Sequence, residues 1–129
     1  MEGEPMATVT GPDFIALQVR DLDAAAAFYE RHLGLRRAPA APPGAVVFAT
    51  SPVPFAVRVP LPGVDLDAAV PRPGTGVALW LRADDAGELH DELAGAGVPI
   101  LAPPVVGPFG RTFTFADPDG YAVTVHDGA

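Results

Sequence analysis

The sequence predicts an α+β fold built from two βαβββ modules. The first observation behind this prediction is a weak internal repeat, in which residues 15–35 resemble residues 77–97, displaced by 62 positions. The second is that each copy begins with alternating apolar residues, the pattern of a strand, and continues with helical spacing. The third is that short β-rich runs broken by Pro and Gly follow the helices, namely AVVFAT, PFAVRVPL, GRTFTFAD and YAVTVHD. A chain of 129 residues is most simply one domain, so we expect the halves to pack together as pseudo-repeats.

The first module is predicted over about residues 13–62, after a flexible N-terminal segment at residues 1–12. Its strand is followed by Asp21 or Asp23, either of which can accept from the free amides of a helix's first turn. Gly34 stands where a left-handed residue would end that helix. The alternating apolar residues of the strand are Ile15, Leu17 and Val19.

The second module is predicted over about residues 76–127, within a single domain that spans residues 13–127. A linker at about residues 63–75 separates it from the first module. Asp84 or Asp85 is expected to cap the second helix and Gly97 to end it. The alternating residues that should face the core are Val77, Leu79 and Leu81, with Phe113 and Phe115 on a later strand.

Composition narrows the classes of function. The formal net charge is −8, with eight arginines and no lysine, and such a surface repels nucleic acid. There is no cysteine, so neither a disulfide nor a thiolate metal site can form. The first dozen residues lack the pattern of a signal peptide, and no stretch approaches the ~20 apolar residues of a membrane span. We therefore expect a cytoplasmic protein with no nucleic-acid or membrane partner.

Three segments resemble the vicinal oxygen chelate superfamily, the group of glyoxalase I, extradiol dioxygenases and bleomycin-resistance proteins. They are VRDLDAAAAFYERHLGL, GVALWLRADD and PFGRTFTFADPDGYAVTV. The resemblance covers about residues 13–127. It implies two βαβββ modules whose strands form a curved mixed sheet with a cleft, helices on the outer face, and completion of the cleft in a homodimer.

The resemblance also locates the positions that hold the metal in metal-dependent members, which place His or Gln, Glu, His and Glu on four strands. Here these positions carry Phe14, Arg58 (or Ala56 on the same face), Gly76 and Thr124. Divalent cations need carboxylates, imidazoles or aligned carbonyls, which these side chains do not supply. No metal or other cofactor is therefore predicted.

No catalytic constellation is recognisable either. There is no cysteine nucleophile and no GxSxG motif. His32 and His90 belong to the predicted helices, away from the cleft. Asp117 and Asp119 belong to the turn DPDG, in which Pro118 fixes φ and Gly120 tolerates a positive φ, so we interpret both carboxylates as structural.

Strand parity predicts which side chains line the cleft. Small residues leave room there, and aromatic residues suit a planar ligand. Three alternatives stay open: Trp80 could be a core residue, Arg58 a solvated arginine, and His126 a solvated residue at the rim. The predicted ligand-binding residues are Phe14, Ala16, Gln18, Phe48, Arg58, Gly76, Trp80, Phe109, Thr112, Thr114, Thr124 and His126.

These expectations favour a metal-free binding protein of the bleomycin-resistance type, which sequesters a bulky, aromatic natural product or antibiotic. The alternative is a cofactor-free enzyme, an isomerase or cyclase, that uses His126 or Arg58 as an acid–base or electrostatic group. A metal-dependent lyase or dioxygenase is disfavoured by the four substitutions at the metal positions.

Overall fold

A computed structural model of the chain describes residues 7–128. Its elements are arranged as two successive strand–helix–sheet modules joined by a linker. In chain order they are β1 (Ile15–Gln18), α1 (Leu22–Leu33), β2 (Ala45–Phe48), β3 (Phe55–Arg58), a short 3-10 helix (Leu66–Ala68), β4 (Leu79–Arg82), α2 (Ala86–Gly95), β5 (Ile100–Gly107), β6 (Gly110–Ala116) and β7 (Ala122–His126).

Each module has its own mixed sheet, which confirms the predicted α+β class. The strand orders are β1-β3-β2 in the first sheet and β4-β7-β6-β5 in the second. The first strand of each module runs parallel to the last, and all other neighbours are antiparallel. A parallel return requires a crossover connection, which α1 and α2 provide.

The two modules are related by an offset of 64 residues, not the 62 suggested by sequence similarity. Ile15 pairs with Phe55 in the first sheet, and Leu79 occupies the same place opposite Val123 in the second. Trp80 therefore corresponds to Ala16 rather than to Gln18. Because the correction is an even number of residues, the face of the strand to which Trp80 belongs is unchanged.

The first module has one strand fewer than predicted. In place of a further strand it has a single antiparallel bridge between Arg37 and Phe48. The segment that follows carries Pro39, Pro42 and Pro43, which lack the amide hydrogen that a strand ladder requires. Proline thus reduces this strand to one bridge.

The pattern of alternating residues does not predict strand β5. It carries Pro103 and Pro104 and pairs with β6 through two shifts of register, between Ile100 and Ala102 and between Ala102 and Val105. Proline inside a strand is tolerated where its nitrogen faces away from the partner strand. The Pro-Pro dipeptide conceals the strand from a search for alternating residues.

The helix ends are as predicted. Asp21 caps α1 by accepting from the Ala24 amide at 3.0 Å, and Asp85 caps α2 by accepting from the Glu88 amide at 2.9 Å. Gly34 ends α1 with φ of 70°. Gly97, with φ of 84°, lies two residues beyond the end of α2.

Each helix packs on its own sheet and forms its own core cluster. The predicted core strand residues Ile15, Leu17 and Val19 pack with α1, and Phe113 and Phe115 pack with α2. The two clusters are joined because three partly buried side chains contact both of them. These are Phe28, Leu33 and Leu79.

Two orientations predicted from the sequence are wrong. Phe48 is completely buried, with its ring 6.2 Å from that of Phe55, so it faces α1 and not the cleft; Val46 shares that face. Val77 precedes β4 and is 79% exposed, so it does not belong to the core. The strand of Phe48 is short and apolar on both faces, so alternation leaves its phase ambiguous. Val77 is exposed for another reason, because β4 begins only at Leu79.

The DPDG turn is held by a buried carboxylate. Asp117 accepts from the Tyr29 hydroxyl at 2.7 Å and from the amides of Asp119 and Tyr121 at 3.0 and 2.9 Å. Burial raises the pKa of the Asp117 carboxyl, although these three donors oppose the shift. Burial likewise raises the pKa of Tyr29, and Asp117 adds to that shift. The structural role predicted for this turn agrees with its bonding.

The same turn fastens the second module to the first. Asp119 accepts from the Arg20 amide at 2.8 Å, and the Arg20 guanidinium bonds to the same carboxylate at 3.1 Å. The Tyr121 hydroxyl donates to the Gln18 carbonyl at 2.7 Å.

Among residues 7–128, no helix is long and apolar enough to cross a membrane.

Candidate functional site

One face of the second sheet collects most of the predicted site residues of that module. Trp80 is in register with Thr124, which in turn pairs with Thr114, and His126 pairs with Thr112. The opposite face carries Phe113, Phe115 and Val125, which belong to the core. These five predicted site residues therefore share the face opposite the core, as strand parity predicts.

Three aromatic rings form a cluster at the end of this face. The Trp80 ring lies edge-on to Phe109, with centroids 5.7 Å apart, and 5.8 Å from the ring of His126. Trp80 is 47% exposed and Phe109 is 52% exposed, so Trp80 is not a core residue. His126 is partly buried, and its Nδ1 is fully buried with no hydrogen-bond partner in the described part of the chain. These rings form an aromatic contact surface, and the unpartnered Nδ1 lies buried beneath it.

A cavity of about 850 Å³ lies at the junction of the modules. Loop residues 50–53 of the first module and helix α2 of the second both contribute to its lining. Trp80 and His126 belong to its lining. The apolar part of the lining includes Ile15, Leu33, Leu35, Val53, Phe55, Leu81, Leu89 and Val125.

A smaller cavity of about 520 Å³ lies under linker residues 72–77. Ala16, Gln18 and Gly76 line it, and the side-chain oxygen of Gln18 already accepts from the Leu61 amide at 2.7 Å. Predicted site residues are thus divided between two cavities. Those that line neither are Phe14, Arg58, Phe109, Thr112, Thr114 and Thr124, together with the core residue Phe48.

The sequence reasoning missed the contribution of α2 to the larger cavity. Asp85, Glu88, Leu89 and Glu92 all line it. Their spacing of three, four and seven residues from Asp85 puts them on one stripe of a helix. That spacing is visible in the sequence, whereas strand parity says nothing about which helical residues line a cavity.

The sequence profile of the Glyoxalase/Bleomycin resistance protein/Dioxygenase superfamily matches residues 11–125. The chain belongs to this superfamily. Residues 11–125 include both modules and the linker between them, so the assignment applies to the whole arrangement described above. None of the curated proteins compared with the chain matches it.

Solved structures of the superfamily's fold include both binding proteins and enzymes. TnmS3, an antibiotic binding protein from Streptomyces sp. CB03234, is 22% identical with a TM-score of 0.73, covering 96% of this chain and 100% of its own. A lactoylglutathione lyase from Agrobacterium tumefaciens is 25% identical with a TM-score of 0.67, covering 95% and 96%. A glyoxalase/bleomycin resistance protein from Streptomyces sp. CB03234 is 23% identical with a TM-score of 0.68, covering 91% and 100%. Since this fold carries several activities, its chemistry has to be argued from the residues.

The positions that hold metal in metal-dependent members of the Glyoxalase/Bleomycin resistance protein/Dioxygenase superfamily have other contacts here. The Thr124 hydroxyl lies 2.8 Å from that of Thr114. In the first module Ala56, not Arg58, takes the place equivalent to Thr124, because Ala16 pairs with Ala56 as Trp80 pairs with Thr124. Arg58 donates to the carbonyl of Val59 at 3.0 Å.

The remaining two positions are equally unsuited to a cation. Phe14 is 51% exposed, and Gly76 has no side chain to offer. Within residues 7–128, no three His, Asp or Glu side chains are grouped so that they could hold a metal ion. The donor set required by hard and borderline cations is therefore missing at this face.

Proposed function

We propose that this chain is a metal-free, cytoplasmic small-molecule-binding protein that sequesters a bulky, aromatic natural product or antibiotic. The observation that carries the proposal is Trp80, which is half exposed, lies edge-on to Phe109, and lines an 850 Å³ cavity together with His126. Small-molecule sites are typically apolar cavities of ~300–1,000 Å³ with a few polar groups. The likeness to a structure described as an antibiotic binding protein supports this proposal.

The aromatic group supplies the means of binding. A planar ligand stacked on Trp80 would cover apolar surface that is now exposed to water, and it would gain offset-stacking contacts. Leu81 and Phe55 extend the apolar wall beyond the ring. The His126 ring, whose centroid lies 5.8 Å from that of Trp80, extends this surface along the lining of the cavity.

A cofactor-free enzyme is the second candidate, and His126 is the observation that favours it. Its partly buried imidazole belongs to the lining of the cavity, and an imidazole beside a bound ligand can act as a general acid or base. In such an isomerase or cyclase the ligand would leave the cavity chemically altered. A sequestering protein releases its ligand unchanged, and this difference decides between the two functions.

Native mass spectrometry tests the proposal directly. We expect the purified protein to have the mass of the polypeptide, without one equivalent of Zn, Ni, Fe or Mn. After incubation with a library of planar aromatic natural products, we expect a bound compound to be released with its original mass. A stoichiometric metal whose binding depends on Thr124 or Arg58 would contradict the metal-free assignment. A released compound of altered mass or altered retention time would instead support the enzyme.

We also propose that the protein is a homodimer. Apart from the ligand-stacking surface at Trp80, the β5–β6 hairpin exposes Val105 and Val106, at 58% and 84%. Contiguous exposed apolar surface marks an interaction site, and two copies related by a two-fold axis can cover the same patch reciprocally. Sedimentation velocity at micromolar concentration is expected to show a dimer, and a monomer throughout the concentration range would contradict this prediction.

A further inference from the structure

The two sides of the module junction are filled differently, although the 64-residue offset makes them equivalent. On one side Phe28 of α1 crosses to the second module, with its ring 5.9 Å from that of Phe115. Its counterpart in α2 is Glu92, and the neighbouring pair Tyr29 and Leu93 are both buried, which confirms the correspondence. On one side of the junction the Phe28 ring packs against the second module, whereas on the other side Glu92 lines the cavity.

The two helices also differ at other positions on the face that borders the cavity. Asp85, Glu88, Leu89 and Glu92 line the cavity. The equivalent residues of α1 are Asp21, Ala24, Ala25 and Phe28. Two positions that carry an alanine and a phenylalanine on one side thus carry glutamates on the other.

The two glutamates are not explained by contacts within the protein. Neither Glu88 nor Glu92 makes a side-chain hydrogen bond or an ion pair with any residue between 7 and 128. A carboxylate in the first turn stabilises a helix through its dipole, which accounts for Asp85 and Glu88. Glu92 lies two turns further along the helix, where the dipole gives no such advantage.

The lining as a whole combines an apolar floor with a negative wall. Four carboxyl-bearing residues border the cavity. Asp84 lies 3.9 Å from Arg82 and Asp85 lies 3.4 Å from Arg111, which leaves Glu88 and Glu92 without a cationic partner among residues 7–128. The floor consists of aliphatic and aromatic side chains from both modules, including Leu33, Phe55 and Leu81. A ligand matched to this lining has an apolar body and a positive charge at one end.

We propose that the cavity at the module junction selects a cationic ligand, an aromatic or alicyclic body bearing one ammonium group, with the ammonium placed over Glu88 and Glu92. This inference rests on the proposed small-molecule-binding function and specifies the chemistry of its ligand. The aromatic body lies against Trp80 and the floor of the cavity. The ammonium remains at the open wall of α2, where it keeps part of its hydration while it is attracted by the two carboxylates.

Three probes that share one aromatic body separate charge from apolar contact: 2-naphthylmethylammonium, 2-naphthylmethanol and 2-naphthoate. In calorimetric titrations of the full chain at pH 7 and low salt, we expect the ammonium to bind about tenfold more tightly than the alcohol, since two carboxylates attract it near the protein surface. The naphthoate is expected to bind more weakly than the alcohol. The advantage of the ammonium should shrink as salt is added, because exposed charges are screened.

The variant Glu88→Gln/Glu92→Gln tests the location. In this variant we expect the affinity for the ammonium to fall to within about threefold of the affinity for the alcohol. The affinity for the alcohol should stay unchanged, because the substitutions remove charge but no apolar area. The control is Asp91→Asn, on the same helix, with an 83% exposed side chain that does not line the cavity. We expect this control to retain the tenfold preference.

Three other outcomes would each contradict the inference. Equal binding of the ammonium and the alcohol would refute selection for a cation but would leave the proposed binding function intact. A preference that survives in the double glutamine variant would refute the assignment to α2. If none of the three probes binds, the inference fails. The proposed function fails with it only if the aromatic library also yields no bound compound by native mass spectrometry.

Discussion

Replacing Asp117 by Ala is expected to lower the free energy of unfolding by about 4 kcal/mol, because three buried donors lose their acceptor at once. These donors are the Tyr29 hydroxyl and the amides of Asp119 and Tyr121. Asp117→Asn should cost less, since its remaining oxygen can still accept from the two amides. Tyr29→Phe should cost about 2 kcal/mol, the usual contribution of one hydrogen bond to a charged group. Urea unfolding followed by far-UV circular dichroism measures all three.

The matched control for this series is Asp84→Ala, which removes a carboxylate whose side chain is fully exposed. Its unfolding midpoint should equal that of the wild type. If Asp117→Ala does not fold, the order of Asp117→Asn and Tyr29→Phe still tests the network. Equal midpoints for the wild type, Asp117→Asn and Tyr29→Phe would show that the turn does not stabilise the junction.

Replacing Trp80 by Ala is expected to weaken the binding of an aromatic compound from the library screen by about 1–3 kcal/mol, through lost apolar area and lost stacking. Folding stability should fall only modestly, because nearly half of the side chain is exposed. A buried tryptophan would cost about 3–5 kcal/mol of stability. Since Trp80 is the only tryptophan, its emission should also be quenched saturably in the wild type as the compound binds.

Two variants complete this test. Trp80→Phe keeps an aromatic face and should restore most of the affinity. Leu79→Ala removes the neighbouring residue that packs against both core clusters, so it should lower stability by about 2 kcal/mol and leave the affinity of the folded protein unchanged. A large loss of stability in Trp80→Ala with unaltered affinity would refute the role proposed for this residue.

Local chemistry made most of the fold predictable from the sequence. The strands beginning at Ile15 and Leu79 alternate clearly, and the caps Asp21 and Asp85 bond as a capping residue should. The orientation predicted for Phe48 is wrong because the short strand AVVF is apolar on both faces, so pairing with the neighbouring strand decides which face is buried. Proline conceals two further features, since Pro103 and Pro104 interrupt β5 and the prolines after Arg37 reduce a strand to one bridge.

The candidate site was less predictable than the fold. Parity located Trp80 and His126, because within one strand every second side chain shares a face. It could not show that Ala16 and Gln18 line a different cavity from Trp80, since that depends on the path of the linker. Nor could it show that Glu92 lines the same cavity as Trp80, which follows only from the packing of one module on the other.

The irregular course of β5 has a consequence for the behaviour of the protein at high concentration. Its outer side is the free border of the second sheet, and Val105 and Val106 are exposed along it. A straight, fully hydrogen-bonding strand of this composition would recruit strands from other chains and start aggregation. Pro103 and Pro104 remove two consecutive donors, and the shifts of register bend the backbone away from a regular ladder. The prolines that conceal this strand in the sequence thus protect the exposed valines from disordered self-association, and the apolar surface stays available for specific contacts.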